Sequence, residues 1–210
     1  MRKAHSSGYT IGAMLTSELV VLRDAELVMM HNVLTPELAD LWLTRLRQQI
    51  AWRQDLLSIG GRQIPIPRMQ AWYGDAGARY SYSGLKMQPL PWTPFLGAIR
   101  QKVEALSGES FNAVLLNWYR DGSDSVGWHS DDEPELGVNP VIASLSLGAT
   151  RLFRMQHKSK KQWAYKLELE QGSLLVMRGV TQHYWRHQLP KTRRAVGQRI
   201  NLTFRWVKSP

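Results

Sequence analysis

Cysteine is absent from all 210 residues, so disulfides and thiolate metal ligands are both excluded. Any bound metal must therefore sit on imidazole nitrogen and carboxylate oxygen. No apolar run approaches the roughly 20 residues of a membrane-spanning helix. Met1 to Thr10 follows Arg2 and Lys3 with Ser, Gly and Thr, not the continuous apolar stretch of a secretory signal. Residues 1–20 are read as a poorly ordered tail and 21–210 as a single domain. Acidic side chains are also scarce, 17 against 27 Lys and Arg, which leaves a net charge of +10. That excess favours polyanionic partners, because neutralising phosphates releases condensed counterions. The plainer use of such charge is a solvated, soluble surface. Cytoplasmic residence is expected, at the nucleoid if the source is bacterial, with no membrane and no obligate protein partner.

What is present divides into a helical part and a β part. Thr35 can cap a helix over Leu34 to Ile50, Pro36 suits its first turn, and Leu38, Leu41, Trp42 and Leu46 make an apolar stripe. Thr93 and Pro94 open a second helix whose apolar residues are Leu96, Ile99, Val103 and Leu106, with Gly108 placed for a left-handed cap. Between them, Gly60 to Leu85 shows neither period and is read as loop with short irregular strand. From Phe111 onward come short β runs: Phe111–Tyr119, Val141–Leu147, Arg151–Met155, Trp163–Glu170, Ser173–Met177 and Gln198–Val207. The fold class is mainly β with flanking helices, a sandwich or barrel. In the fourth run Trp163, Tyr165, Leu167 and Leu169 alternate with Ala164, Lys166, Glu168 and Glu170, one face buried and one wet.

The last run carries the most information. Arg199, Asn201, Thr203 and Arg205 share one face, and Ile200, Leu202, Phe204 and Trp206 share the other. If the apolar face packs under helices, the polar face must line a cavity, where two guanidiniums need anionic partners to offset desolvation. A small dicarboxylate would satisfy both. A strand rise of about 3.3 Å separates the two arginine Cα atoms by about 20 Å, within reach of two long side chains closing on one molecule. The alternative is a polar face turned to solvent. Asn117 and Tyr119 share a face with Leu115 and offer an amide and a phenol to the same anion, just before the turn Asp121-Gly122-Ser123.

His129-Ser130-Asp131 sets an imidazole and a carboxylate two residues apart, on one side of an extended chain. A third ligand has to come from His5, His31, His157, His183 or His187, and only the last two lie near the arginine strand in sequence. Spacing does not choose between them. Two imidazoles and one carboxylate leave three adjacent coordination positions open, as non-haem iron(II) oxygenases require. Zinc on the same ligands would serve hydrolysis.

These residues resemble the AlkB family, and in particular its members that repair alkylated duplex DNA. The stretches Phe111 to Gly122, His129-Ser130-Asp131-Asp132-Glu133 and Arg199 to Arg205 match the family's motifs in order. So do Tyr73 to Gly77, Tyr82-Ser83-Gly84 and Gly172 to Leu175, and the similarity runs from about Pro67 to Val207. The resemblance implies a double-stranded β-helix (jelly-roll) core over about 111–207, with a nucleotide-recognition segment over about 57–88. It implies Fe(II), 2-oxoglutarate and O2 as cofactors, with ascorbate helping to keep the iron reduced. His129, Asp131 and His187 would be the metal ligands, His183 a neighbour only. Asn117, Tyr119, Arg199, Asn201, Thr203 and Arg205 would contact 2-oxoglutarate, Arg199 at the distal carboxylate and Arg205 near the metal. The implied reaction splits 2-oxoglutarate to succinate and CO2 and hydroxylates an N-alkyl carbon, which leaves as an aldehyde.

The same resemblance implies a substrate of alkylated DNA, single- or double-stranded, or RNA. Glu133 would face the damaged base, and a carboxylate suits cationic lesions such as 1-methyladenine and 3-methylcytosine. Tyr82 would stack on an extruded base, which an active site cannot reach inside a duplex. Phosphate contacts are expected from Lys191, Arg193 and Arg194, from Lys158, Lys160 and Lys161, and from Arg62, Arg68 and Arg79. One departure stands out: duplex-repair members carry a bulky apolar wedge where this chain has Ile59-Gly60-Gly61. Two other readings stay open, a dioxygenase acting on modified RNA, protein or lipid, and a non-catalytic nucleic-acid-binding β module.

Overall fold

A computed structural model describes residues 14–208, apart from 79, 83 and 84. In chain order the elements are β1 (Thr16–Leu22), β2 (Ala25–His31), α1 (Pro36–Gln49), β3 (Leu56–Ile59), β4 (Arg62–Pro65), β5 (Met69–Gly74), β6 (Tyr80–Tyr82) and β7 (Leu85–Met87). There follow α2 (Pro94–Ser107), β8 (Ala113–Tyr119), β9 (Val126–His129), a 3₁₀ turn (Pro134–Leu136), β10 (Ile142–Gly148), β11 (Arg151–His157), β12 (Ala164–Leu169), β13 (Ser173–Arg178), α3 (Thr181–Tyr184), β14 (Trp185–Leu189) and β15 (Arg199–Arg205). A seven-stranded sheet has the order β1-β2-β13-β10-β15-β8-β5, and a four-stranded sheet the order β12-β11-β14-β9. All named pairs are antiparallel, and the two sheets make a jelly roll.

Three layers follow from where the apolar faces go. The helices carry their predicted caps: Thr35 and Thr93 accept from the backbone of Leu38 and Leu96, and Gly108 ends α2 at φ 72°. Ala39, Trp42 and Leu46 of α1, with Leu96, Ile99 and Val103 of α2, pack on Ile200, Leu202 and Phe204 of β15. Behind that sheet a second core lies between the sheets, with Leu175 and Met177 of β13 facing Phe153 and Met155 of β11. β15 is thus central to the larger sheet, with its apolar side under the helices and its polar side between the sheets. The alternative of a solvated polar face is excluded, since all seven of its residues are buried.

Several expectations change. The tail assigned to 1–20 is corrected at its C-terminal end, where Thr16 to Leu22 pairs along β2; residues 1–13 of that segment lie outside the described residues. Within Gly60 to Leu85, Met69–Gly74 is a regular strand hydrogen-bonded to β8, while β3-β4 and β6-β7 are hairpins beside the main sheets. Leu41 is 53% exposed, its place against the sheet taken by Ala39, and Trp206 is 52% exposed, one residue beyond the end of the ladder. β9, four residues with a glycine, is too short to show a period, and the alternation of Trp185, His187 and Leu189 with Arg186 and Gln188 on β14 was not read as a strand.

This layering fixes the cost of truncation. Leu202 has no exposed surface, so Leu202→Ala is expected to lose about 2–5 kcal/mol in urea unfolding. Leu41→Ala should stay within about 0.5 kcal/mol. Equal losses at the two positions would contradict the assignment of α1's inner face.

Candidate metal centre

Strand pairing brings together residues that are distant in sequence. His129 on β9 lies directly opposite His187 on β14, with ring centroids 4.3 Å apart. Between this pair and the next, Leu189 with Val126, β9 has one more residue than β14, a bulge. A bulge re-aims side chains, and here Val126 and His129 both face the cavity between the sheets. The Nδ1 of His129 lies 2.9 Å from the Gly127 carbonyl, which can only accept; the proton therefore sits on Nδ1 and the lone pair on Nε2. Beyond β9 the chain is tied to α3 and the start of β14: the Ser130 hydroxyl donates to the Trp185 carbonyl at 3.1 Å, and the Asp131 N–H donates to Gln182 Oε1 at 2.9 Å. These bonds carry Asp131 over the imidazoles. Ligand atoms of His129, Asp131 and His187 all lie within 4.8 Å of one another, among the described residues the one such group of three.

The protonation states suit a cation. Burial opposes charge on Asp131, but Arg205, whose Nη2 donates to Oδ1 at 2.7 Å, and the two imidazoles hold its carboxyl below the usual range. Burial first, and His129 next, push His187 down to about 3. His129 keeps a partly open edge, yet burial lowers it too, against the pull of Asp131. At neutral pH the cluster is two neutral imidazoles and one carboxylate, the state a divalent metal requires.

The anion pocket adjoins it. Asn117 and Tyr119 from β8 and Arg199, Asn201, Thr203 and Arg205 from β15 all line the same cavity as the three candidate ligands. Arg199 is 1% exposed; its Nη2 donates to the Ser146 hydroxyl at 2.9 Å, its guanidinium lies 5.4 Å from the Tyr119 ring centroid, and its Nε has no partner. Burial without a carboxylate pushes this guanidinium down to about 10 despite Tyr119. A buried cation left with neutral partners fits an anionic ligand. Asn201 is committed to the scaffold: its amide donates to the Ser144 hydroxyl and the Leu145 carbonyl and accepts from Thr203.

The remaining expected residues are scattered. Tyr82 belongs to β6, but its side chain lies outside the described residues, as does Arg79. Glu133 is half-buried at the head of the 3₁₀ turn and is not in the cavity wall. Lys191, Arg193 and Arg194 are exposed on the loop after β14. Two phosphate assignments are corrected. Lys158 bonds Asp132 at 2.6 Å and the Gln182 carbonyl at 2.9 Å, while Arg68 is 5% exposed in the cavity wall with its Nε donating to Asn117 at 2.8 Å. His183 is exposed and accepts from the Asn139 N–H, away from the cluster.

Two positioning residues, Gln182 and Arg151, were missed, and a third, Arg68, was given another role. Gln182 holds the backbone of Asp131. Arg68 holds Asn117. Arg151 donates to the carbonyls of Asp121, Asp124 and Pro190 at 2.8–3.0 Å, locking the turn after Tyr119 to the loop after β14. Only Arg151 had a signal, since it alternates inward with Phe153 and Met155.

A family model described as the 2OG-Fe(II) oxygenase superfamily matches residues 26–205. The "Alpha-ketoglutarate-dependent dioxygenase alkB homolog 3" of Rattus norvegicus is 45% identical over 178 residues, 80% of this chain and 60% of that protein. The "DNA oxidative demethylase ALKBH2" of Homo sapiens is 44% identical over 158 residues, 72% of this chain and 60% of that protein. The first of these relatives are thus matched over about 60% of their length. A solved structure, "The structure of OsALKBH1", shares the fold with TM-score 0.63 at 18% identity, covering 90% of this chain and all of that one.

The lowered imidazoles set a pH dependence. Unfolded histidine binds protons near 6.5, so below that the unfolded chain holds protons that folded His187, at about 3, does not. Metal-free protein should therefore lose stability as pH falls from about 6.5 toward 3, at up to about 1.4 kcal/mol per pH unit for each such imidazole. Asp131 adds its loss between the ordinary carboxylate value of about 3.9 and its own depressed one, where the unfolded chain is protonated and the folded one is not. Urea unfolding in chelator across this window, compared with His187→Asn, measures the effect; identical slopes in the two proteins would refute it.

Proposed function

This chain belongs to the 2OG-Fe(II) oxygenase superfamily, and from that premise we propose that it removes alkyl groups oxidatively from damaged nucleic-acid bases. The observation that carries the reading is the shared cavity, with a neutral His, neutral His and ionised Asp cluster at one end and an uncompensated buried arginine at the other. His129, Asp131 and His187 would hold iron(II), and Arg199 with Tyr119 the distal carboxylate of 2-oxoglutarate. Iron(II) bound there supplies O2 activation at the expense of 2-oxoglutarate. One oxygen atom of O2 ends in succinate, with release of CO2; the other becomes the hydroxyl on the N-methyl carbon, and the resulting hemiaminal loses formaldehyde to restore the base.

The protein's own part is positioning and exclusion of water. Arg205 keeps Asp131 ionised and fixes which oxygen it presents. The inter-sheet core, with Phe153 stacked 5.1 Å from His187, dries one side of the cluster. A nucleic-acid substrate is supported by the net charge of +10 and by the name of the relative at 44% identity, a DNA oxidative demethylase. Glu133, two residues after Asp131, would favour a cationic base, and Tyr82 would stack on it.

Formaldehyde and succinate should appear in equal amounts from a 3-methylcytosine oligonucleotide with Fe(II) and 2-oxoglutarate. Asp131→Ala should abolish both, and Arg199→Gln should raise the KM for 2-oxoglutarate about tenfold or more. Undiminished formaldehyde from Asp131→Ala, or none from the parent protein, would reject the reading.

Strand preference is set by the β3-β4 hairpin. Gly60 and Gly61 form its two-residue turn with φ 57° and 78°, the pair of positive values that such a turn demands, and nothing lies within 4 Å of where their Cβ atoms would be. A tip without a side chain cannot fill the gap left by a flipped base. Turnover on single strands should exceed that on the matched duplex; equal or faster duplex turnover would show that another element supplies the wedge.

A further inference from the structure

The outer face of the smaller sheet carries Arg154 and Lys166, cations with no part in the cavity, beside the loop whose Lys191 and Arg194 are already expected to meet phosphate. Outward positions are Leu152, Arg154 and Gln156 on β11, Ala164, Lys166 and Glu168 on β12, Arg186 and Gln188 on β14, and Trp128 on β9. Arg154 stands directly opposite Lys166 in the ladder. Like charges in that relation weaken a sheet. Among the described residues neither makes an ion pair, nor do Lys191 and Arg194 on the adjoining loop. Elsewhere Arg53, Arg100, Arg120, Lys158 and Arg178 each hold a carboxylate. Arg154, Lys191 and Arg194 border one groove of about 490 Å³, in which Glu168 is the single acid. At the other side of this face Trp128 is 38% exposed, with the Arg186 guanidinium 5.1 Å from its ring centroid.

We propose that this face, from Trp128 across Arg154 and Lys166 to the groove beside Lys191 and Arg194, binds the sugar-phosphate backbone of a single nucleic-acid strand flanking the target base. The inference rests on the nucleic-acid reading above and extends it to a surface outside the cavity. Unpaired cations set opposite each other match a polyanion, which relieves their repulsion and releases counterions. A half-exposed indole offers a stacking surface that tolerates any base. Continuity with the site comes from β9, an edge strand: His129 faces the cavity and Trp128, its neighbour, faces outward. A strand whose target base enters the cavity needs only to cross that edge to reach the sheet.

The test is the double variant Arg154→Gln with Lys166→Gln in the full chain, measured by fluorescence anisotropy of a labelled 20-nucleotide single strand over a salt series. The slope of log Kd against log salt should fall by about 0.7 for each cation removed, and affinity should drop several-fold. Turnover of a methylated trinucleotide, too short to reach the sheet, should be unchanged. The variant should melt no lower than the parent, because a repulsive pair has been removed. Parental affinity and salt slope would overturn the proposal, and a lower melting temperature with unchanged binding would assign the pair to structure alone. If the parent protein fails to turn over the trinucleotide while the salt slope still falls, the dealkylase reading is lost and the binding face stands.

Discussion

Arg205 and Asp131 meet at 2.7 Å between the two sheets, with 2% and 1% of their surfaces exposed. Placing two charges there is expensive, and breaking the pair by removing one partner costs about 3–5 kcal/mol. Much of the surrounding architecture satisfies this pair. Asp131 reaches it because Gln182 and Trp185 hold the loop beyond β9, and Arg205 reaches it because β15 lies centrally in the larger sheet with its apolar residues under the helices. A carboxylate kept ionised in this way, beside two neutral imidazoles, presents lone pairs from three side chains to one point, the donor set that a divalent cation needs.

The second constraint is an imbalance. Arg199 is as deeply buried as Arg205 but meets a serine hydroxyl and a phenol instead of a carboxylate. One end of the cavity thus calls for a cation and the other for an anion, at opposite ends of a single strand. A diacid that also coordinates a metal answers both demands, which is why the cofactors of the superfamily fit this chain's own residues.

The alternation of β15 was legible from residue types alone, but periodicity left its polar face to line a cavity or to meet solvent, and only the burial of all seven residues decides between them. The helix ends at Thr35, Thr93 and Gly108 were legible for local reasons, each depending on neighbours within a few residues. Choosing His187 over His183 was not a local matter. Those residues lie four apart in a segment where α3 gives way to β14, and only the register against β9 puts one imidazole opposite His129. Gln182 and Arg68 were illegible for the same reason, their partners being 51 and 49 residues away. Leu41 and Trp206 show the reverse error, in which a pattern was extended past the surface that the partner element covers.

The proposed chemistry requires one cavity to hold a metal and a diacid side by side. Calorimetric titration of 2-oxoglutarate into anaerobic Fe(II)-loaded protein, repeated with Arg199→Gln and with His187→Asn, addresses this directly. One diacid per chain should bind the parent protein; Arg199→Gln should keep the metal but lose most of the diacid affinity, and His187→Asn should lose the metal. Unchanged diacid binding in Arg199→Gln, or metal retained at full affinity in His187→Asn, would contradict it.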